Sequence, residues 1–505
     1  MKILSAQQTR EADAITIRQE PVDSIDLMER ASTKFVQAFT PVFSPHPHPV
    51  YVFCGPGNNG GDGLAIARLL AAQEYQVRVF TVQAQGQVSD DFATNRDRWQ
   101  EDYPIHSVDQ ISDIPEIPAQ AIIIDGLFGS GLSRPVTGLL AEVVAAINQA
   151  PATVVAIDIP SGLYADQPTP EEASVVRADY TFTFQLPKLS FLLPHYQGMV
   201  GQWKAVDIGL NEAFLERVAT PYYYTDETAM RGVRRPRDPA SHKGNYGKAL
   251  IIAGSYGKMG AAVLGARAAK HGGVGLLTMH VPECGYTVLQ TAVPEAMVMV
   301  DRNPHHFSQL EADVLDQYDT LGIGPGLGTD EATLAALRQV LPAARERGLS
   351  LVMDADALNL CGQHRELLQQ LPERTILTPH PKEFERLTEP ARDDFHRLQL
   401  LRSFCQTYQV HVVLKGGHTA VGTPDGDIHF NSTGNPGMAT GGSGDVLTGL
   451  LTALVAQPYT PLEAARLGVY LHGLAGDLAA AQMGQEALTA SDLITRFGQA
   501  FQQLG

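Results

Sequence analysis

Short apolar, β-rich runs alternate with stretches of helical period along the whole chain, the pattern of an α/β fold built on parallel sheets. Near the start, Met28, Ala31, Phe35 and Phe39 recur at three- to four-residue spacing and predict the second of two leading helices, with one apolar face. Strands are predicted at Val50–Cys54, Val77–Val82, Ala121–Ile124 and Val154–Ile157, separated by helical segments such as Leu64–Ala72 and Leu139–Asn148. Shorter strands at Tyr180–Phe184 and Trp203–Val206 close this half. Across residues 211–240 the period is lost: PYYYTDETAMRGVRRPRDPASHKGN carries prolines and clustered arginines. A boundary is expected near residue 220, giving domains 1–220 and 221–505, with part of the stretch draped over a neighbour. Strands resume at Ala249–Ala253, Gly275–His280, Thr320–Ile323, Ser350–Met353, Thr375–Thr378 and Val410–Leu414, and a helical tail follows Gly442.

Composition narrows the function classes. A chain of 505 residues exceeds one ordinary domain and fits two larger α/β domains. With 44% hydrophobic and 18% charged residues it is globular, which excludes disorder, coiled coil and collagen. The 37 basic against 55 acidic side chains leave −18, so broad binding to a nucleic-acid backbone is not expected. A single anionic ligand on backbone N–H groups stays compatible with that charge. The start, MKILSAQQTREADAITI, has no apolar signal region, and no apolar run approaches the ~18 residues of a membrane span. A soluble, cytoplasmic protein without a membrane partner is expected. Cys54, Cys284, Cys361 and Cys405 form no C-x-x-C, and each is expected to pack as a small apolar group.

The segment VYVFCGPGNNGGDGLAIARLLAA reads as strand, glycine turn and helix. Backbone N–H groups there can approach an anion at a helix N-terminus. The acidic residue that a dinucleotide fold needs at the end of the next strand is missing, because Val77–Val82 ends without Asp or Glu. An ordinary Rossmann dehydrogenase is therefore disfavoured. Two further strand ends, Asp125-Gly126 with its loop to Pro135 and Asp158-Ile159-Pro160-Ser161-Gly162, belong to the same crevice of an open parallel sheet. Asn59, Asp125 and Ser161 together offer amide, carboxylate and hydroxyl oxygens, a set that suits K⁺ better than zinc. Each Asp taken alone also reads as a strand-end cap.

GNNGGDG, IIIDGLFGSGLSRPV, AIDIPSGL and FQLPKLSFLLP…DIGL occur in that order over roughly residues 1–215. Together they resemble the YjeF N-terminal domain, the NAD(P)HX epimerase family. The resemblance implies a Rossmann-like three-layer αβα fold that interconverts the R and S forms of NADH or NADPH hydrated at C6. It implies substrate contacts from Asn58, Asn59, Gly60, Gly61 and Asp62, and from Gly129, Ser130, Gly131, Leu132, Ser133, Arg134 and Pro135. It further implies that Asp158 meets the reacting part and that Asn59, Asp125 and Ser161 ligate K⁺. A carboxylate can exchange a proton or stabilise an iminium-like ring, and the residues leave both routes open. Lys188 in QLPKLSF either faces this site or is a solvated loop lysine.

The second half carries NPGMATGGSGDVL, small residues directly ahead of a helix, which form a nest aimed at a phosphoryl oxygen. Asp445 at that helix start reads alone as a first-turn acidic residue, and beside Gly441, Gly442 and Gly444 as a general base. No G-x-x-x-x-G-K-[ST] occurs, so this is not a Walker loop. Gly-x-Gly-Asp near the end of the chain looks like the ribokinase-like superfamily. HKGNYGKALIIAGSYGKMGAA, GIGPGLGT, MDADALN, TPHPKEF, LKGGHT and NPGMATGGSGDVL, in order over about residues 240–450, resemble the ADP/ATP-dependent NAD(P)H-hydrate dehydratases. That resemblance implies a ribokinase-like αβα fold, phosphorylation of the C6 hydroxyl and elimination of phosphate. Ala261, Gly326, His380 and Asp445 would contact the hydrated nucleotide, while Lys415, Gly416, Gly417, His418, Thr419 and Gly444 would contact the adenine nucleotide. His380 between two prolines also reads as a loop-fixing residue, and Lys382 departs from the small residue expected in HP-x-EF. Mg²⁺ is expected as the divalent ion, ADP as the donor (ATP as an alternative) and a homo-oligomer as the assembly. The competing reading is a ribokinase-type small-molecule kinase with a non-catalytic N-terminal binding domain.

Overall fold

The computed structural model describes residues 1–45, 48–83 and 86–505. The chain forms two compact units, Lys2–Thr220 and Met1 with Pro221–Gly505. Among the described residues, the first holds a seven-stranded sheet of β1 (Val50–Cys54), β2 (Val77–Val82), β3 (Ile105–Val108), β4 (Ile122–Gly126), β5 (Thr153–Ile157), β6 (Tyr180–Phe184) and β7 (Gln202–Val206). Its order is β3-β2-β1-β4-β5-β6-β7, with every pairing parallel.

Successive side chains of β1 explain the layers. Val50, Val52 and Cys54 pack with helices Ser24–Phe39 and Asn58–Ala71, whereas Tyr51 and Phe53 pack with helix Leu139–Gln149 on the other face. The apolar stripe predicted at Met28, Ala31, Phe35 and Phe39 is the buried face of Ser24–Phe39. Strand order reverses between β1 and β4, so the loops after these strands open a crevice at their carboxyl ends.

The second unit carries a ten-stranded sheet of β8 (Tyr222–Thr225), β9 (Lys248–Ile252), β10 (Leu276–Val281), β11 (Met297–Val300), β12 (Thr320–Ile323), β13 (Ser350–Met353), β14 (Thr375–Leu377), β15 (His411–Leu414), β16 (Ala420–Gly422) and β17 (Ile428–Asn431). The order is β11-β10-β9-β12-β13-β14-β15-β16-β17-β8. Pairing is parallel as far as β15, but β15–β16 and β16–β17 are antiparallel. The expected all-parallel sheet is corrected at this edge, because the short Lys415–Thr419 connection permits a hairpin and not a crossover helix. Tyr222–Thr225, inside the stretch that lacks a period in the sequence, is a strand paired in parallel with β17. Behind the sheet, helix Ser443–Ala456 is buried from Val446 through Val455, which anchors the glycine-rich loop at its N-terminus.

Cys54, Cys361 and Cys405 are buried, Cys284 is half-buried, and all four are free thiols. No helix among the described residues is long and apolar enough to cross a membrane.

Candidate functional sites in the two units

In the first unit, the loops after β1, β4 and β5 and the helix Ala6–Gln19 line one cavity of about 520 Å³. Asn58, Asn59 and Asp62 stand on its wall with Gly129, Ser130, Gly131, Leu132 and Asp158. Gly60 lies behind that wall, where a Cβ would sit 1.8 Å from the Gly55 carbonyl oxygen, so the turn closes only around glycine. Gly61 is likewise buried behind it, against Met28. Ser133, Arg134 and Pro135 are exposed and fall outside the cavity lining.

Asp125 and Ser161 form one buried cluster. The Ser161 hydroxyl donates to Asp125 Oδ1 at 2.6 Å and its amide to Oδ2 at 2.8 Å, while the Phe128 amide donates to Ser161 Oγ at 2.8 Å. Burial pushes the Asp125 carboxyl up to about 6, and no cationic side chain among the described residues pairs with it. Asn59 is adjacent to the same loops: a Cβ on Gly129 would lie 3.5 Å from Asn59 Oδ1, and Asn59 Nδ2 is buried without a partner.

Asp158 has a left-handed backbone (φ 62), a strained state for a residue other than glycine, and it lines the same cavity. Among the described residues, its side-chain hydrogen bonds all fall on Oδ1: from Lys188 Nζ at 2.7 Å, the Phe184 amide at 2.9 Å and Thr183 Oγ1 at 3.1 Å. Lys188 is 3% exposed, so the solvated-loop reading of this lysine fails and a buried ion pair takes its place. Three more carboxyls, Asp13, Asp62 and Asp91, share the cavity. Asp13 is pushed up to about 6 by burial and then by Asp158, with Lys188 opposing. Asp62 is raised well above the usual carboxylate range by burial and then by Asp158.

In the second unit the glycine loop and three strand ends converge. Gly442, in the left-handed region (φ 90), caps helix Ser443–Ala456 and turns the chain so that Asp445 enters its first turn. Burial and then Asp354 push Asp445 up to about 6, Lys415 opposes, and Asp356 adds to the rise. Asp354 follows β13 and is 2% exposed; its Oδ1 is 2.9 Å from Lys415 Nζ and its Oδ2 accepts from Thr448 Oγ1 at 2.8 Å. A Cβ on Gly444 would lie 3.4 Å from Lys415 Nζ, so this glycine faces the ion pair. Gly416 and Gly417 are exposed, Thr419 Oγ1 donates to the Gly416 carbonyl at 3.1 Å, and His418 Nδ1 is 3.0 Å from the Asn431 carbonyl oxygen.

Ala261 and Gly326 adjoin: a Cβ at Gly326 would be 3.1 Å from Ala261 Cβ. Asp356 accepts from the Gly328 amide at 2.8 Å and faces Lys258 Nζ at 3.3 Å, which ties this pair of loops to the Asp445 cluster. His380 caps helix Pro381–Leu387 by accepting the Lys382 amide at 3.2 Å and the Glu383 amide at 3.3 Å. The loop-fixing reading of His380 is therefore realised in the geometry. It also lies next to Pro379, whose carbonyl accepts the Lys415 amide. Among the described residues no group of three His, Cys, Asp or Glu is arranged to hold a metal.

The comparisons follow the same division. Residues 249–497 match the family model described as NAD(P)H-hydrate dehydratase, and residues 24–190 match that of the YjeF-related protein N-terminus. Over 98% of this chain and 95% of its own length, the bifunctional NAD(P)H-hydrate repair enzyme of Moorella thermoacetica is 36% identical. The chain belongs to the bifunctional NAD(P)H-hydrate repair enzyme family. The Escherichia coli family member is 33% identical over 93% of this chain and 88% of its own. Two solved structures resemble the dehydratase-type unit. A ribokinase-like superfamily protein from Enterococcus faecalis is 28% identical, with TM-score 0.51, over 57% of this chain and 98% of its own. The ADP/ATP-dependent NAD(P)H-hydrate dehydratase from Bacillus subtilis, co-crystallised with ATP and Mg²⁺, is 31% identical with TM-score 0.50, over 57% and 100%.

Sequence reasoning passed over several residues of both sites. Asp13 had one local signal, a carboxyl beside buried Ala12 and near buried Thr16 on the same helix. Asp354 and Asp356 lay inside a motif already noticed, MDADALN, but nothing local tied them to Lys415 or Lys258. Asp477 holds the front of the glycine loop through the Gly434 amide and Asn435 Nδ2, both at 2.9 Å. His472 donates from Nε2 to the Ser443 carbonyl at 3.0 Å, and burial lowers its pKa to about 4, so it stays neutral.

Proposed function

We propose that residues 1–220 interconvert the R and S epimers of hydrated NADH and NADPH, and that residues 221–505 dehydrate the S epimer to the reduced cofactor at the expense of ADP, releasing AMP and phosphate. The observation that carries this reading is the pairing in one chain of a cavity lined by Asn58, Asn59, Asp62 and Asp158 with a glycine nest beside Asp445. Near full-length identity to family members of that description supports it.

In the first unit Asn58, Asn59, Asp62 and residues 129–132 hold the substrate, Gly60 and Gly61 shape the turn behind them, and Asp158 meets the nicotinamide ring. The buried Asp125 carboxylate, with the Ser161 hydroxyl and Asn59 amide oxygens, fits K⁺ because a monovalent cation would neutralise a charge that no cationic side chain among the described residues pairs. When bound, K⁺ would supply fixed positive charge that organises these three loops.

In the second unit Ala261, Gly326 and His380 contact the hydrated nucleotide, while Lys415–Thr419 and Gly444 contact ADP. Asp445 accepts the proton of the C6 hydroxyl, whose oxygen forms a bond to the terminal phosphorus of ADP as the bond to AMP breaks. Backbone N–H groups of the nest and the Lys415 ammonium receive the charge on the phosphoryl oxygens. Phosphate then leaves C6 as a proton leaves C5, and the ring double bond is restored. Mg²⁺ would enter with the nucleotide phosphates and, when bound, would offset phosphoryl charge; among the described residues no three carboxylates are arranged to hold it by themselves. The reading includes action as a cytoplasmic homo-oligomer on small-molecule substrates alone.

The test is to mix R- and S-hydrated NADH with ADP, Mg²⁺ and K⁺ and follow the return of nicotinamide absorbance. Recovery of both epimers with AMP and free phosphate is expected, and Asp445→Asn is expected to lose ~10²–10⁴-fold. A phosphorylated product that accumulates without absorbance would establish the small-molecule kinase instead.

A further inference from the structure

The cavity of the first unit contains more acid–base chemistry than substrate contact requires. Helix Ala6–Gln19 brings in Arg10 and Asp13, helix Asn58–Ala71 brings Asp62, helix Asp90–Gln100 brings Asp91, and the loop after β5 brings Asp158 with Lys188 behind it. Asp158 is committed to its ion pair with Lys188 and to two further donors on the same oxygen. Asp13 has no such commitment: among the described residues no hydrogen bond or ion pair is formed by its carboxyl. It is half-buried on the wall of the cavity, on a helix whose neighbouring Ala12 and Thr16 are buried. A partnerless carboxyl in such a place costs stability, and a structural role would have supplied it a donor.

We propose that Asp13 is a catalytic acid–base of the epimerisation, exchanging a proton with the hydroxyl on C6 of the hydrated nicotinamide, with Asp62 as its counterpart. This rests on the epimerase reading above. Protonated Asp13 gives its proton to the hydroxyl oxygen; the C6–O bond breaks and its electron pair leaves with water. The ring nitrogen lone pair forms the N1=C6 double bond, and the resulting cation lies against the Asp158 carboxylate. Water adds to C6 from the other face, the π pair returns to nitrogen, and the surplus proton passes to ionised Asp62. The reverse reaction exchanges the two roles. Burial and the neighbouring Asp158 raise Asp13 to about 6, although Lys188 pulls it down, and raise Asp62 above the usual carboxylate range; the reaction requires one proton shared between the two carboxyls.

The full-length protein tests this directly. Asp13→Asn is expected to lower kcat for R-to-S conversion by ~10²–10⁴-fold with KM little changed, while dehydration of the S epimer proceeds at the wild-type rate. Asp13→Glu, which keeps a carboxyl, is expected to recover to within about tenfold of wild type. Equal losses in both variants would make the position one of packing and overturn the proposal, as would unchanged conversion in Asp13→Asn. A wild-type protein that leaves the R epimer untouched would instead remove the epimerase reading itself. In water enriched in ¹⁸O, the wild-type enzyme is expected to place label on C6 with each inversion. Inversion without label means the C6–O bond never broke, which overturns the step without any variant.

Discussion

Each unit builds its site around a carboxyl pushed up to about 6 beside an Asp–Lys ion pair, yet the two pairs face opposite ways. In the first, the lysine is the hidden partner: Lys188 is 3% exposed and Asp158 11%. In the second, the aspartate is hidden: Asp354 is 2% exposed and Lys415 24%. The first site thus presents negative charge to a ring that becomes cationic, and the second presents positive charge to a phosphoryl group that gathers negative charge. A shift toward 6 does not by itself distinguish an acid from a base. The sign of the charge turned outward beside it does.

The sharpest way to break this comparison is at the base of the second site. Asp445→Asn is expected to abolish dehydration by ~10²–10⁴-fold while R and S epimers still interconvert, measured by separating the two epimers over time. Next come the lysines. Lys188→Met leaves Asp158 buried and unpaired, at an expected cost of about 3–5 kcal/mol in thermal or denaturant unfolding of the first unit. Lys415→Met leaves Asp354, 2% exposed, with Thr448 as its remaining donor; it is expected to cost a similar amount and to raise KM for ADP.

The pH profiles should then diverge. Asp445 must be ionised, so kcat/KM for dehydration is expected to fall about tenfold per pH unit below about 6. Asp13 must carry its proton, so kcat/KM for epimerisation is expected to fall as pH rises above about 6. Profiles with the same limb would dissolve the contrast. The smallest effect is on stability. The folded state holds the Asp13 proton more tightly than the unfolded chain, so this carboxyl costs stability above about 6, and the cost fades as pH falls toward 4. Asp13→Asn is expected to raise the melting temperature of the first unit by a few degrees at pH 8 and by little at pH 4, read by calorimetry.

Buried central strands were legible from composition alone. Val50–Cys54, Val77–Val82, Thr320–Ile323 and Ser350–Met353 agree residue for residue, because strands that are mostly buried on both faces carry mostly apolar and β-branched residues. Strands at the margins were not. Ile105–Val108 and Met297–Val300 are half-exposed edges whose side chains need not be apolar throughout, and Ala420–Gly422 with Ile428–Asn431 are too short for a period to register. The glycine loops of both sites were visible since close backbone approach restricts residue type locally. The ion pairs were not: Lys188 is 30 positions from Asp158 and Lys415 is 61 from Asp354, separations that only strand order brings together. Asp13 needed the cavity to give it meaning, because on helix periodicity alone a carboxyl near a buried face is as easily a surface residue.

Tyr222–Thr225 adds one more consequence. By pairing with Ile428–Asn431 it covers what would otherwise be a bare sheet margin, and that margin holds Asn431, whose carbonyl oxygen lies 3.0 Å from His418. A recombinant fragment trimmed to begin after residue 230 would expose unpaired amides and carbonyls along β17, a template for self-stacking into insoluble material. Anyone who separates the kinase-like half for crystallography should therefore keep those four residues, although they look like tether.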